Sequence, residues 1–284
     1  MDNNNNNKPI QINNSRIMTE LKGSLYKEYN QERIGVHVSD LIYCPRESIF
    51  RKLHPIPITD RELNFFTSGR AIHDAIQTLA KHYPKYEIEK EIEFIPIENE
   101  FTKGLPEIKR MNGIGRKLKI LAHIDLFDTE KKIPIEAKSS RKAKLATYNR
   151  NTKTWSPEEP KSFNVTQLKI YMALTNSDVG YLMYQLLMNF DKNPFTIFEV
   201  RMTEKERIDM LKWLTVEAIN YVYSKNSKDP SLVRHVAFDN ELNWKCNDCK
   251  FLDECLEMRN KEYTANRNKN NNNSLIGNMD DISI

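Results

Sequence analysis

Asp125, followed after a gap by Glu136-Ala137-Lys138, places two carboxylates and a lysine on neighbouring stretches of chain. Lys117 to Phe127 alternates so that Leu118, Ile120, Ala122, Ile124 and Leu126 share one face of a strand while Lys117, Lys119, His123 and Asp125 share the other. After a polar turn, Asp128 to Lys132, a returning strand sets Ile133, Ile135 and Ala137 against Glu136 and Lys138. Pairing the apolar faces brings Asp125, Glu136 and Lys138 together. Two ionised carboxylates repel each other unless a cation sits between them, and a hard divalent ion such as Mg²⁺ or Mn²⁺ takes oxygen ligands. Such an ion polarises a phosphoryl oxygen and acidifies water, and an adjacent ammonium stabilises the developing charge. That is phosphodiester hydrolysis in outline. Surface salt bridges with Lys117, Lys119 and Lys138 would produce the same alternation, and pattern alone favours them.

The second chemical group is the cysteines. Cys246, Cys249 and Cys255 form C-x2-C-x5-C, and the fourth, Cys44, lies far upstream beside Pro45. Four cysteines in 284 residues are too few for a disulfide-built secreted scaffold. In a reducing compartment, clustered thiols read as metal ligands, for tetrahedral zinc or for an iron–sulfur cluster. A zinc ribbon usually shows two close pairs, so one remote cysteine and a tight trio favour the cluster.

The elements that must position these groups read as mixed α/β. Ser39 is the expected N-cap of a first helical turn, and a helix follows through Leu53 with Pro45 at its first position. A helix over 65–82 presents Ile72, Ile76 and Leu79 to the core and leaves Arg70, His73, Asp74 and Gln77 elsewhere. Alternation through Ile88, Ile92 and Phe94 marks a strand ended by Pro96. Further on come a helix over 163–174, a strand over 179–188, a turn over 189–194, a strand over 195–202 and a helix over 204–223. Gln167 and Tyr171, at i and i+4, share one helical face. Residues 1–18 and 264–284, with their Asn-rich runs, are expected as disordered tails around one folded domain over 19–263.

Lys+Arg 43 against Asp+Glu 39 leaves a net charge of only +4, so any nucleic-acid contact must come from local patches. No apolar run approaches a membrane span, and neither a secretory nor a mitochondrial leader is visible, which points to the cytoplasm. Two segments are basic. One carries Lys103, Lys109, Arg110, Arg116, Lys117 and Lys119; the other runs from Lys138 to Lys161 and is interleaved with Tyr148 and Trp155. Solvated loops often look like this, yet cations with aromatics are also what a single strand needs for phosphate tracking and base stacking.

Asp125 with Glu136-Ala137-Lys138 resembles the PD-(D/E)XK nuclease motif on a restriction-endonuclease-like sheet. Gly69-Arg70-Ala71-Ile72-His73 is similar to the upstream histidine motif of the RecB-like branch, and Gln167-Leu168-Lys169-Ile170-Tyr171 to its downstream Q-x-x-x-Y motif. With Ser39-x-Leu41-x-x-Cys44-Pro45-Arg46 and the terminal C-x2-C-x5-C, the set resembles the CRISPR-associated iron–sulfur exonuclease family, the fourth Cas protein. The resemblance spans about Val38 to Cys255.

It implies that His73, Asp125 and Glu136 hold Mn²⁺ or Mg²⁺, that Lys138, Gln167 and Tyr171 complete the catalytic site, and that Cys44, Cys246, Cys249 and Cys255 hold a 4Fe-4S cluster. It further implies a DNA exonuclease that prefers single-stranded ends or flaps, runs 5′-to-3′, and serves the CRISPR spacer-integration complex in antiviral defence. The same chemistry in repair or recombination, and a non-catalytic iron–sulfur DNA-binding module, are the alternatives. Two positions depart from the common pattern: Ala122 stands where many relatives have Gly, and Asn164 where many have His.

Overall fold

The computed structural model describes residues 16–29, 34–112, 118–140, 145, 148–149, 153–155, 158–187, 195–236, 242 and 244–260. The Asn-rich runs, the turn expected over 189–194 and parts of the two basic segments, 113–117, 141–144, 146–147, 150–152 and 156–157, lie outside these residues. The chain enters as α1 (Arg16–Tyr29), three residues before the expected domain start, and continues as β1 (Val36–His37), α2 (Val38–Ile42), α3 (Pro45–Leu53) and α4 (Asp60–Ala80). Next come β2 (Tyr86–Phe94), α5 (Pro106–Asn112), β3 (Ile120–Asp128), β4 (Ile133–Ser140), β5 (Tyr148–Asn149) and β6 (Thr154–Trp155). The last elements are α6 (Ser162–Thr175), β7 (Val179–Leu186), β8 (Phe195–Arg201), α7 (Glu204–Ser227), α8 (Trp244–Asn247) and α9 (252–260). Among the described residues no helix is long and apolar enough to cross a membrane.

Local sequence accounts for the main boundaries. Thr59 and Glu62 cap α4 reciprocally, and Thr203 and Glu206 do the same for α7, so each pair satisfies backbone donors that a helix start leaves open. Asn176, in the left-handed conformation at φ 54°, ends α6, a role its short polar side chain tolerates. At α2 the N-cap is His37 and not Ser39: β1 runs straight into the helix, Ser39 falls inside its first turn, and the His37 N–H donates to Asp40 Oδ2 at 3.3 Å.

Six strands form one mixed sheet in the order β1-β3-β4-β7-β8, with β2 also paired to β3, and helices flank it, which is the mixed α/β architecture expected. β4 and β7 are parallel, so the chain between them must cross over, and α6 makes that crossing. On the α6 and α7 side the core gathers Leu168, Met172, Leu182, Tyr184, Leu214 and Ala218. On the α4 side a smaller cluster gathers Ile76, Ala80, Leu126 and Ala137.

β3 has an unusual edge. β2 pairs along its whole length, from Tyr86↔Asp128 to Phe94↔Ile120. The opposite edge is shared, with β1 taking Ile120 and Leu121 and β4 taking Leu126 to Asp128. Between those pairings the strand is forked, and Asp125 sits at the fork. The clean alternation expected for β3 breaks there: Ile120, Ala122 and Ile124 belong to the large core, Leu126 to the small one, and Phe127 to the large one again. A second departure concerns Leu79, expected in the core stripe of α4 beside Ile76 but 61% exposed. The covered stripe runs through Ile76 and Ala80, which pack against Leu126 and Ala137 of the sheet, and Leu79 lies to one side of it.

Gly180 marks the closest approach of α6 to the sheet. A Cβ there would lie 2.9 Å from Met172 Cγ and Sδ and 3.0 Å from Leu168 Cδ1, and both side chains are fully buried. Gly180→Ala therefore destabilises the protein by about 1–3 kcal/mol through overpacking, measurable as a lower urea midpoint at unchanged slope.

Candidate active site

Four elements converge on the fork. Asp125 comes from β3, Glu136 and Lys138 from β4, His73 from α4, and Gln167 and Tyr171 from α6. Asp125 is held on both oxygens: Oδ1 lies 3.1 Å from His73 Nδ1, and Oδ2 accepts the Ala137 N–H at 2.7 Å. The fork makes this possible, since a carboxylate placed where two strands part can reach a backbone donor on one side and a helix on the other. Lys138 Nζ donates to Glu136 Oε1 and, at 3.0 Å, to Gln167 Oε1. Gln167 Nε2 in turn donates to the Tyr171 hydroxyl at 2.8 Å. The i, i+4 pair thus forms a relay that orients the lysine, and Tyr171 is buried among core residues.

The electrostatics follow from burial. Glu136 is 2% exposed, and its Oε2 has no hydrogen-bond partner among the described residues. Burial, and then the charge of Asp125, push its carboxyl well above the ordinary range. Burial also opposes ionisation of Asp125, but His73, Lys138 and the Ala137 N–H hold its carboxyl below the usual value. Asp125 raises the His73 imidazolium pKa through their hydrogen bond. For Lys138, burial pulls toward the neutral amine, and Glu136, Tyr43 and Asp125 outweigh it and keep the ammonium charged. Two buried carboxylates share one ammonium and one imidazole, and Glu136 Oε2 is left without a partner, so the pocket is short of groups to engage its carboxylate oxygens.

That shortage, the unpartnered Glu136 oxygen and the nitrogen and oxygen donors of His73, Asp125 and Glu136 fit a hard divalent cation. Among the described residues no three His, Cys, Asp or Glu side chains already stand as a closed cage. His73 and Asp125 engage each other, and Glu136 engages Lys138, so a cation would have to take these partners over.

Two neighbours, Tyr184 and Tyr43, escaped the sequence reading. Tyr184 sits beside Lys138 in the β4–β7 register, and its hydroxyl accepts from Asn164 Nδ2 at 2.6 Å and from the Lys161 N–H at 3.3 Å. Asn164 is thereby a buried support for Tyr184. Tyr43 adds to the field at Lys138, and its ring packs on Phe163 at 5.6 Å and under Lys245 at 5.1 Å. The parallel register that reveals Tyr184 is invisible in sequence, whereas the placement of Tyr43 next to Cys44 was a usable signal. Ala122, the other departure, is a buried core residue away from these polar contacts. Tyr148 and Trp155 are backbone partners in the two-stranded β5–β6 ladder.

The cysteines meet across the fold. The charge of Cys44 is felt at Cys246, Cys249 and Cys255, and the N–H of Cys249 donates to the carbonyl of Cys246 at 3.3 Å. All four are partly buried free thiols. Burial first, with Glu47 and the neighbouring sulfurs adding to it, pushes Cys249 up to about 11. Four sulfur donors in one region, with no other cysteine in the chain, suit a tetrathiolate group by their chemistry, although as they stand no three of them form a metal-holding set.

Around them Phe50 stacks on Phe251 at 5.2 Å, and Lys250 Nζ donates to Glu62 Oε2 at 3.0 Å and to the Pro57 carbonyl at 3.0 Å. Glu62 also takes Arg51 at 2.9 Å, and it ties α3, α4 and the C-terminal segment into one corner. Burial raises the Glu62 carboxyl pKa, but the Thr59 N–H, Lys250, Arg51 and the Thr59 hydroxyl outweigh it and bring the value down to about 2. A depressed carboxyl contributes stability above its unfolded value, near 4.5, and loses it as pH falls through about 2. Glu62→Gln accordingly flattens the stability profile across that acid window, as read from urea melts at stepped pH.

No protein-family model matches the chain, and no curated protein matches it either. A phage-related exonuclease from Haemophilus somnus 129PT gives a TM-score of 0.40 at 14% identity, covering 69% of this chain and 97% of its own. The crystal structure of SSO0001 gives a TM-score of 0.52 at 19% identity, covering 84% of this chain and 95% of that one. At that identity the likeness concerns the fold, and it extends over nearly the whole of the solved chain.

Proposed function

We propose that the protein is a metal-dependent nuclease that hydrolyses DNA phosphodiester bonds at the β3–β4 fork. The observation that carries this reading is the buried Glu136 oxygen without a partner, set beside Asp125 and a single ammonium. His73, Asp125 and Glu136 would hold Mn²⁺ or Mg²⁺, which when bound supplies Lewis acidity and an acidified water. Lys138, fixed by Glu136 and Gln167, stabilises charge that develops on the phosphoryl oxygens. Tyr171, through Gln167, keeps that ammonium in one place, and Asn164 with Tyr184 forms the floor beneath it.

The preference for single-stranded ends, the 5′-to-3′ direction, a role in CRISPR spacer capture and the 4Fe-4S identity of the cysteine group rest on the motif resemblance. The cytoplasmic setting and the disorder of the Asn-rich tails rest on sequence composition. A strand labelled at either end, incubated anaerobically with Mn²⁺ or Mg²⁺, tests the catalytic core: label is released progressively, and EDTA stops the reaction. Single strands with free 5′ ends are consumed faster than blunt duplexes. If protein with intact iron and sulfide cleaves nothing in either metal, the nuclease reading fails.

A further inference from the structure

The exposure of Leu79 leads to a second feature of the molecule, on the α4 side of the sheet. Leu79, Tyr83 and Ile197, exposed by 61%, 59% and 60%, line one groove of about 460 Å³ between the end of α4 and the sheet. Met183 and Ile135 contribute to its apolar walls, and β8 is the last strand of the sheet on that side. Its polar rim is Lys85, Lys131 and Asp128. Asp128 lies 3.8 Å from Lys85 Nζ and accepts the backbone N–H groups of Glu130 and Lys131 through Oδ1. The Lys131 ammonium has no acidic partner among the described residues. A concave apolar surface with a basic rim calls for an apolar segment that carries acid.

The chain contains such a segment beyond the described residues. Past the Asn-rich run, Ser274 to Ile284 holds Leu275, Ile276, Met279 and Ile282, together with Asp280 and Asp281 and no Lys or Arg. Leu275, Met279 and Ile282 fall at i, i+4 and i+7, one face of a helix, with both aspartates off that face. Reach is sufficient. Lys250 fastens the C-terminal segment to Glu62 in the first turn of α4, and the groove is built on the last turns of the same helix. From Glu62 to Leu79 the rise is about 26 Å at 1.5 Å per residue. Residues 261–273 span up to about 45 Å when extended, which covers that distance even if α9 first runs the wrong way.

We infer that residues 274–284 dock in this groove on their own chain, with the face of Leu275, Met279 and Ile282 inside and Asp280 and Asp281 toward Lys131 and Lys85. The inference is independent of the nuclease reading. A photo-crosslinking amino acid, benzoylphenylalanine, replaces Ile282 in the full-length chain, and crosslinked peptides are mapped by mass spectrometry. Crosslinks to the peptides bearing Leu79, Tyr83, Met183 or Ile197, within monomeric product and at a yield independent of protein concentration, are expected. Lys131→Glu lowers the yield about three-fold at low salt, and adding Asp281→Lys restores it, as an exposed charge pair should. Crosslinks only between chains assign the groove to a second copy and overturn the inference. Crosslinks elsewhere, no crosslinks, or a yield insensitive to Lys131→Glu overturn it as well.

Discussion

Lys138→Ala slows cleavage of single-stranded DNA by about 10²–10³-fold in saturating Mn²⁺, the usual consequence of removing one fixed donor from a developing oxyanion. The size follows from placement. Lys138 is held by Glu136 on one side and Gln167 on the other, and its charge is secured by the carboxylates around it against the pull of burial. No other Lys or Arg side chain among the described residues contacts Glu136 or Asp125. Alanine also leaves Glu136 buried without its cation, and the carboxyl then takes up a proton more readily. Gln167→Leu, which removes only the neutral contact, slows the reaction by about ten-fold, in line with the loss of one hydrogen bond to a charged group. Single-turnover rates with matched circular dichroism provide the check. Equal rates for wild type and Lys138→Ala would remove Lys138 from the chemistry and leave Glu136 without its assigned role.

Cys249→Ser gives the second large effect, on stability and colour. A group held by all four sulfurs would join Cys44, at the start of α3, to the segment that ends in α9, and would close a loop of about 200 residues. A covalent cross-link over a loop of that length is worth about 3–5 kcal/mol. That is a large fraction of the roughly 5–15 kcal/mol that holds a typical domain together. Protein purified without oxygen is expected to be brown and to contain iron and sulfide. The serine variant is expected to be bleached and to melt about 10 °C lower, the shift such a loss produces in a domain of this size. Stoichiometric zinc with no visible absorption would replace the iron–sulfur assignment by a zinc one.

Much of the candidate site was legible because its residues follow local periodicity. Asp125, Glu136 and Lys138 do share a pocket, and a two-residue period across a short turn was enough to place them there. The face of Gln167 and Tyr171 followed in the same way from helical spacing. Their assignment to catalysis and metal binding is a proposal that the geometry suits. What stayed hidden depends on contacts between distant segments. The forked edge of β3 arises because β1, from far upstream, and β4, from just downstream, both pair with it, and no local pattern encodes that sharing. Tyr184 became a neighbour of Lys138 through a parallel register, which a loop of unknown path leaves open. Leu79 was misplaced for a related reason, since the apolar stripe of α4 is wider than the row, Ile76 and Ala80, that the sheet covers.

Arg46, 2% exposed near Cys44, donates to the Val233 carbonyl at 3.1 Å and the Ser231 carbonyl at 3.4 Å, and it also hydrogen-bonds Cys255. These partners are synthesised roughly 200 residues after it. At about 5–20 residues per second, a nascent chain waits on the order of ten to forty seconds between α3 and the residues that cover it. During that interval Arg46, Phe50 and Cys44 stand open at the surface of a partly built sheet. The N-terminal corner is therefore completed as the chain leaves the ribosome, and truncation before Trp244 leaves Cys44 alone and Phe50 without the ring of Phe251.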